Sequence, residues 1–179
     1  MSLNESAWPF IKDSWPFEID RPYFKSESVE HDVRLAEILL RFQGLTFFAD
    51  FKTENLLQSS SALADDPVYR DLVNIQPDGA LTLKDAQGQS YLYALEFEIS
   101  RKTLERYRQK LSGYYRAGSL DGVIYVCGNQ EIADAIVKID REIRIGKDSI
   151  VYLGTELSVL ESHGKMFFKN VERDGIGLH

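Results

Sequence analysis

The chain has 179 residues, 44% of them hydrophobic, enough for one proper core but too few for two comfortable ones. A formal net charge of -7 argues against nucleic-acid binding driven by bulk charge. No apolar run approaches the roughly 18 residues of a membrane span, so no membrane partner is expected.

The first 30 residues are rich in aromatics and proline, with Trp8-Pro9-Phe10 echoed by Trp15-Pro16-Phe17. They read as an irregular arm (1–30) preceding a single domain (31–179). The start of the chain, with Asn4, Glu5 and Lys12, lacks the apolar core of a signal peptide. A lone Cys127 inside an apolar run has no disulfide partner and reads as a core residue. The lack of an apolar span and of a signal-peptide core predicts a cytoplasmic protein. Exposed Tyr and Trp in the arm could serve a homodimer or cover their own core.

Residues 31–42 are predicted to be a helix, because Leu35, Ile38, Leu39 and Phe42 recur at helical spacing, with Ser28 as cap and Gly44 as stop. His31 and Asp32 fall near its apolar stripe. A strand is expected over 45–51 and a loop over 59–67. The clearest pattern runs from 73 to 99. Val73, Ile75, Pro77, Gly79, Leu81 and Leu83 alternate with polar or small residues, 85–88 supplies a turn, and Tyr91, Tyr93, Leu95, Phe97 and Ile99 alternate in the return arm.

Only an even slip keeps both apolar sets of such a hairpin on one face. Folding it about residue 87 pairs Leu83 with Tyr91, Gly79 with Leu95 and Ile75 with Ile99. The same register puts Asp78 opposite Glu96 and Gln76 opposite Glu98. Ser100 is then the expected cap of a helix whose stripe is Leu104, Tyr107, Leu111, Tyr114 and Tyr115. Between Arg101 and Arg116 six basic residues face one acid, Glu105, a local surplus of five positive charges. A continuous apolar strand over 122–127, a helix over 132–143 and strands at 150–153 and 165–169 complete the expected order α-β-β-β-α-β-α-β-β.

Carboxylates directly opposed across two strands have β-carbons about 5 Å apart and repel each other. A hard divalent cation relieves that repulsion, taking one or two carboxylates and leaving positions for a phosphate. Two plainer alternatives stand beside this. Pro77-Asp78-Gly79 is a common turn tripeptide, and Glu96 and Glu98 could be the wet face of an edge hairpin.

Asp78, then Glu96-Phe97-Glu98 ending the next strand, then a basic helix, resembles the PD-(D/E)xK nuclease superfamily. His31-Asp32 opening a helix, Glu54 after a strand and Lys110 with Tyr114 are similar, more narrowly, to the replication-relaxation family associated with plasmids and mobile elements. The resemblance spans roughly residues 31–126.

It implies an α/β (α+β) restriction-endonuclease-like αβββαβ core, with a central mixed sheet flanked by helices, and DNA cleavage that depends on Mg2+ or Mn2+. Asp78 and Glu96 would bind the metal, and Glu98 would support it. Glu98 stands where the superfamily has lysine. Since that lysine can migrate to the following helix, Lys110 is the first candidate and Lys102 the second. Arg101, Lys102, Arg106 and Tyr114 would face DNA, and His31, Asp32 and Glu54 would support the site. Two other functions remain open. One is a catalytically inactive accessory protein that binds DNA or a replication or mobilisation partner; the other is an interaction domain whose acids are only surface.

Overall fold

The computed structural model describes residues 20, 23, 25–172 and 175–178, so most of the arm, including both Trp-Pro-Phe triplets, lies outside the described residues. Helix α1 (Val29–Gln43) starts where expected, with the Ser28 hydroxyl accepting from the His31 amide at 3.0 Å, and Gly44 caps its far end. It buries Ile38 and Phe42 completely. Strand β1 (Phe48–Thr53) begins three residues later than the sequence pattern predicts, because Leu45 and Phe48 are still engaged in the turns that close the helix.

The segment expected to be a loop instead forms short helices, α2 (Glu54–Ser59) and α3 (Ser61–Asp65), followed by α4 (Arg70–Ile75). Thr53 and Ser60 cap the first two through their hydroxyls. Helix α4 overturns the first part of the expected hairpin. Val73 and Ile75 are helical, partly buried against one of the two cores, and Gln76 closes the helix at φ 58 in the left-handed region. The pairs Ile75 with Ile99 and Gln76 with Glu98 therefore do not form.

From Gly79 onward the hairpin follows the predicted register. Strand β2 (Gly79–Lys84) pairs with β3 (Ser90–Glu98) as Gly79 with Leu95, Leu81 with Tyr93 and Leu83 with Tyr91. The Asp85 carboxylate accepts from the amides of Gln87 (2.9 Å) and Gln89 (2.8 Å) and fixes the turn. Gly79 is required at the other end. A β-carbon there would meet the Phe51 ring and lie 2.8 Å from the Lys52 carbonyl.

Helix α5 (Leu104–Tyr114) is capped by Thr103 rather than by Ser100. It returns the chain to β4 (Gly122–Cys127), parallel to β3 and buried at all six positions. Helix α6 (Gln130–Ile143) leads to β5 (Val151–Thr155), parallel to β4; α7 (Glu156–Leu160), β6 (Met166–Asn170) and β7 (Ile176–Leu178) follow. The sheet is seven-stranded and mixed, in sequential order β1 to β7.

Alternation along β3 decides which layer each side chain enters. Leu92 and Ala94 face a core built with Tyr107, Leu111 and Tyr114 of α5 and Ile132 and Ile136 of α6. Leu95 and Phe97 face the second core, with Ile38 and Phe42 of α1 and Val159 of α7. Helices thus cover both faces of the hairpin, and neither is the wet face of an edge. Each fully buried Leu, Ile or Phe contributes about 1.5–3 kcal/mol by leaving water. Glu96 and Glu98 continue the Leu92–Ala94 row, so they enter an otherwise apolar layer at the carboxyl end of β3. Among the described residues no helix is long and apolar enough to cross a membrane.

Candidate active site

Glu96 is 2% exposed and Glu98 6%. Two groups from α5, four residues apart and therefore on one helix face, reach Glu96. Lys110 Nζ donates to Glu96 Oε2 at 2.7 Å, and the Tyr114 hydroxyl donates to Oε1. Lys110 and Glu96 are thus in contact, whereas Tyr114, fully buried, presents no surface to DNA.

Asp78 does not sit in a ladder pair opposite Glu96, because the β2–β3 pairing begins only at Gly79. Its Oδ2 accepts instead from the Phe97 amide at 2.7 Å. The Phe97 carbonyl lies 3.2 Å from His31 Nε2, so that nitrogen carries the hydrogen. The same Nε2 is 3.8 Å from Asp78 Oδ2. His31 is 5% exposed and clamps the start of α1 to the end of β3.

Burial and mutual repulsion shape the proton affinities. Burial, with the nearby Asp78 carboxylate adding to it and Lys110 opposing it, pushes Glu96 up to about 7. Burial and the neighbouring Glu96 push Glu98 up to about 8. Asp78 is also raised by burial, against the pull of Lys110 and the Phe97 amide. Burial alone would lower Lys110, but Glu96 and Asp78 outweigh it and hold its ammonium charged. Three carboxylates therefore crowd around the enclosed Lys110 ammonium, with Lys102 beside Glu98, an arrangement common where ionisable groups do chemistry.

Asp78, His31, Asp32 and Glu54 line a cleft of about 270 Å³ between α1 and the β1–α2 junction. Asp32 accepts from Ser26 Oγ at 2.5 Å, and Glu54 pairs with Lys25 at 2.9 Å. Lys25 and Glu27 also line this cleft, although the sequence pattern singled out neither. The Glu27 carboxylate receives Lys102 and Arg106, at 3.3 and 3.2 Å, and Lys102 is also 4.0 Å from Glu98. Arg101 is exposed. Of the other basic residues on α5, Arg108 is paired with Glu105 and Glu142. Cys127 is buried with its thiol pushed up to about 12, which leaves it unreactive.

The donor chemistry fits a hard cation: carboxylates of Asp78, Glu96 and Glu98 and the carbonyl of Phe97 are all oxygen donors. When ionised together, the three carboxylates outnumber the nearby ammoniums of Lys110 and Lys102, an excess that a cation relieves. The geometry is less committed. Both Glu96 oxygens are engaged by α5, and among the described residues no group of three or more His, Cys, Asp or Glu is arranged to hold a metal ion. In comparisons with known proteins, no family model, no curated protein and no solved structure matches the chain.

Proposed function

We propose that the protein is a metal-dependent phosphodiesterase acting on DNA in the cytoplasm, of the PD-(D/E)xK nuclease kind and closest to its replication-relaxation branch. In this reading it serves plasmid or mobile-element replication. The observation that carries this reading is the convergence of Asp78, Glu96 and Lys110 at the carboxyl end of β3. Element order supports it too. With the three short helices between β1 and β2 set aside, α1-β1-β2-β3-α5-β4 follows the αβββαβ order the resemblance implies.

Asp78 and Glu96 would hold Mg2+ or Mn2+, with Glu98 in support. A bound ion supplies charge neutralisation at the phosphate and lowers the pKa of water. The chain's own residues do the rest. The Phe97 amide fixes the Asp78 carboxylate, His31 holds the Phe97 carbonyl, and Tyr114 fixes the carboxylate of Glu96. Lys110, held charged beside Glu96, would offer its ammonium to the negative charge that develops on a phosphate. Arg101, Lys102 and Arg106, on and just before α5, take the flanking backbone, a salt-sensitive contribution that carries no sequence information.

A specific observation favours a second reading, an inactive accessory protein that binds DNA or a replication partner: Lys110 and Tyr114 already satisfy Glu96. The deciding experiment is cleavage of single-stranded, duplex and branched DNA with magnesium or manganese, using wild type, Asp78→Asn and Lys110→Met. Cleavage lost in both folded variants is the expected result. Failure of the wild type to cleave any of these or to bind either ion in calorimetry would sink the catalytic reading in favour of the accessory one.

A further inference from the structure

Lys25 and Glu27 line the cleft into which Asp78 opens. Lys25 is tied to α2 on one side, its amide donating to Asn55 Oδ1 at 2.8 Å and its ammonium to Glu54. Ser26 donates to Asp32 of α1, and Glu27 reaches across to Lys102 and to Arg106 of α5. This short stretch therefore bridges α2, α1 and the start of α5 through polar contacts.

Three observations bear on what this stretch does. Lys102 and Arg106 are among the cations that a phosphate backbone would use here, and a carboxylate of the chain itself occupies both. That carboxylate is partly covered, and Lys102, against the effect of burial, holds it below its usual range. Glu27 also stands close enough to Asp78 to raise its proton affinity, so it adds negative charge at the point where a polyanion would have to enter. Finally, residues 25–28 are all exposed as whole residues, with about a third of the Glu27 side chain open to solvent. Contacts of that kind are weak and open at little cost, as elements that move usually do.

We infer that residues 25–27 form an autoinhibitory strap, in which Glu27 stands in for a phosphate on Lys102 and Arg106 and must be displaced before a phosphodiester backbone can bind there. The inference rests on reading the site as one that takes DNA. It adds that the free protein holds its own rim cations masked, so affinity is limited by strap release rather than by lack of positive charge. It also reconciles a locally basic helix with an acidic protein: the surplus on α5 becomes available only to a ligand able to outcompete one carboxylate.

The test is fluorescence anisotropy of a labelled mixed-sequence DNA duplex with the full chain in EDTA, comparing wild type, Glu27→Gln, and Glu27→Gln carrying Lys102→Ala and Arg106→Ala. Glu27→Gln should tighten binding about tenfold at ~50 mM salt. Because the displaced strap leaves the same phosphate contacts in both complexes, the dependence of log K on log salt should stay close to that of wild type. The added alanines should abolish the gain and flatten that dependence by about 1.8, at ~0.9 for each of two lost phosphate contacts. Binding by Glu27→Gln equal to or weaker than wild type, including no binding by either, overturns the strap. The catalytic reading fails separately: tighter binding without metal-dependent cleavage leaves the strap standing, and cleavage with unchanged binding does the reverse.

Discussion

The two buried glutamates make stability depend on pH in an unusual direction. In the folded chain burial raises Glu96 from 4.5 to about 7 and Glu98 from 4.5 to about 8. The native state therefore keeps protons that the unfolded chain has released, and stability falls as pH rises from about 4.5 to about 8. At about 1.4 kcal/mol for each tenfold change in proton affinity, the full loss is on the order of 3 kcal/mol for Glu96 and 5 kcal/mol for Glu98. The two titrate as a coupled pair, so the losses do not simply add.

Urea unfolding in EDTA, followed by circular dichroism at pH values of about 5.5 and 8.5, should give a wild type less stable at the higher pH by roughly 3 kcal/mol. Glu98→Gln should flatten the curve above pH ~7, and millimolar magnesium should restore part of the loss by binding the native state alone. Stability equal or greater at the alkaline end in wild type would refute the charge count on which the site rests.

Tyr114→Phe removes the hydroxyl that donates to Glu96 and leaves a buried carboxylate oxygen unpartnered. It should cost about 1–3 kcal/mol in urea unfolding and move the stability decline to higher pH, because the neutral acid is then favoured further. Gly79→Ala drives a methyl group against the Phe51 ring and the Lys52 carbonyl. The melting temperature should fall by about 4–8 °C, corresponding to ~2 kcal/mol of overpacking in a chain of this size.

Much of the hairpin was legible from residues 79 to 98, because side chains alternate with period two and an odd slip would have turned Leu81, Leu83, Tyr93 and Leu95 to the wrong layer. The cap at Ser28, the Asp85 turn and the buried strand over 122–127 were legible for similarly local reasons. Val73 and Ile75 misled because two apolar residues two apart fit a short helix as well as a strand. What decided between them was packing: on α4 both side chains lie against the Tyr107–Leu111–Tyr114 side of the sheet. The nearness of Asp78, Glu96 and Lys110 could be anticipated from a strand followed by a helix at the right distance.

Burial of the acids, and the reach of Glu27 across 75 residues to Lys102, could not be read the same way. The sequence by itself determined periodicity, turns and caps, which depend on neighbours a few residues apart. Only the tertiary structure decided that a row beginning with Leu92 and Ala94 ends in two enclosed carboxylates, because enclosure depends on which helix returns over which face.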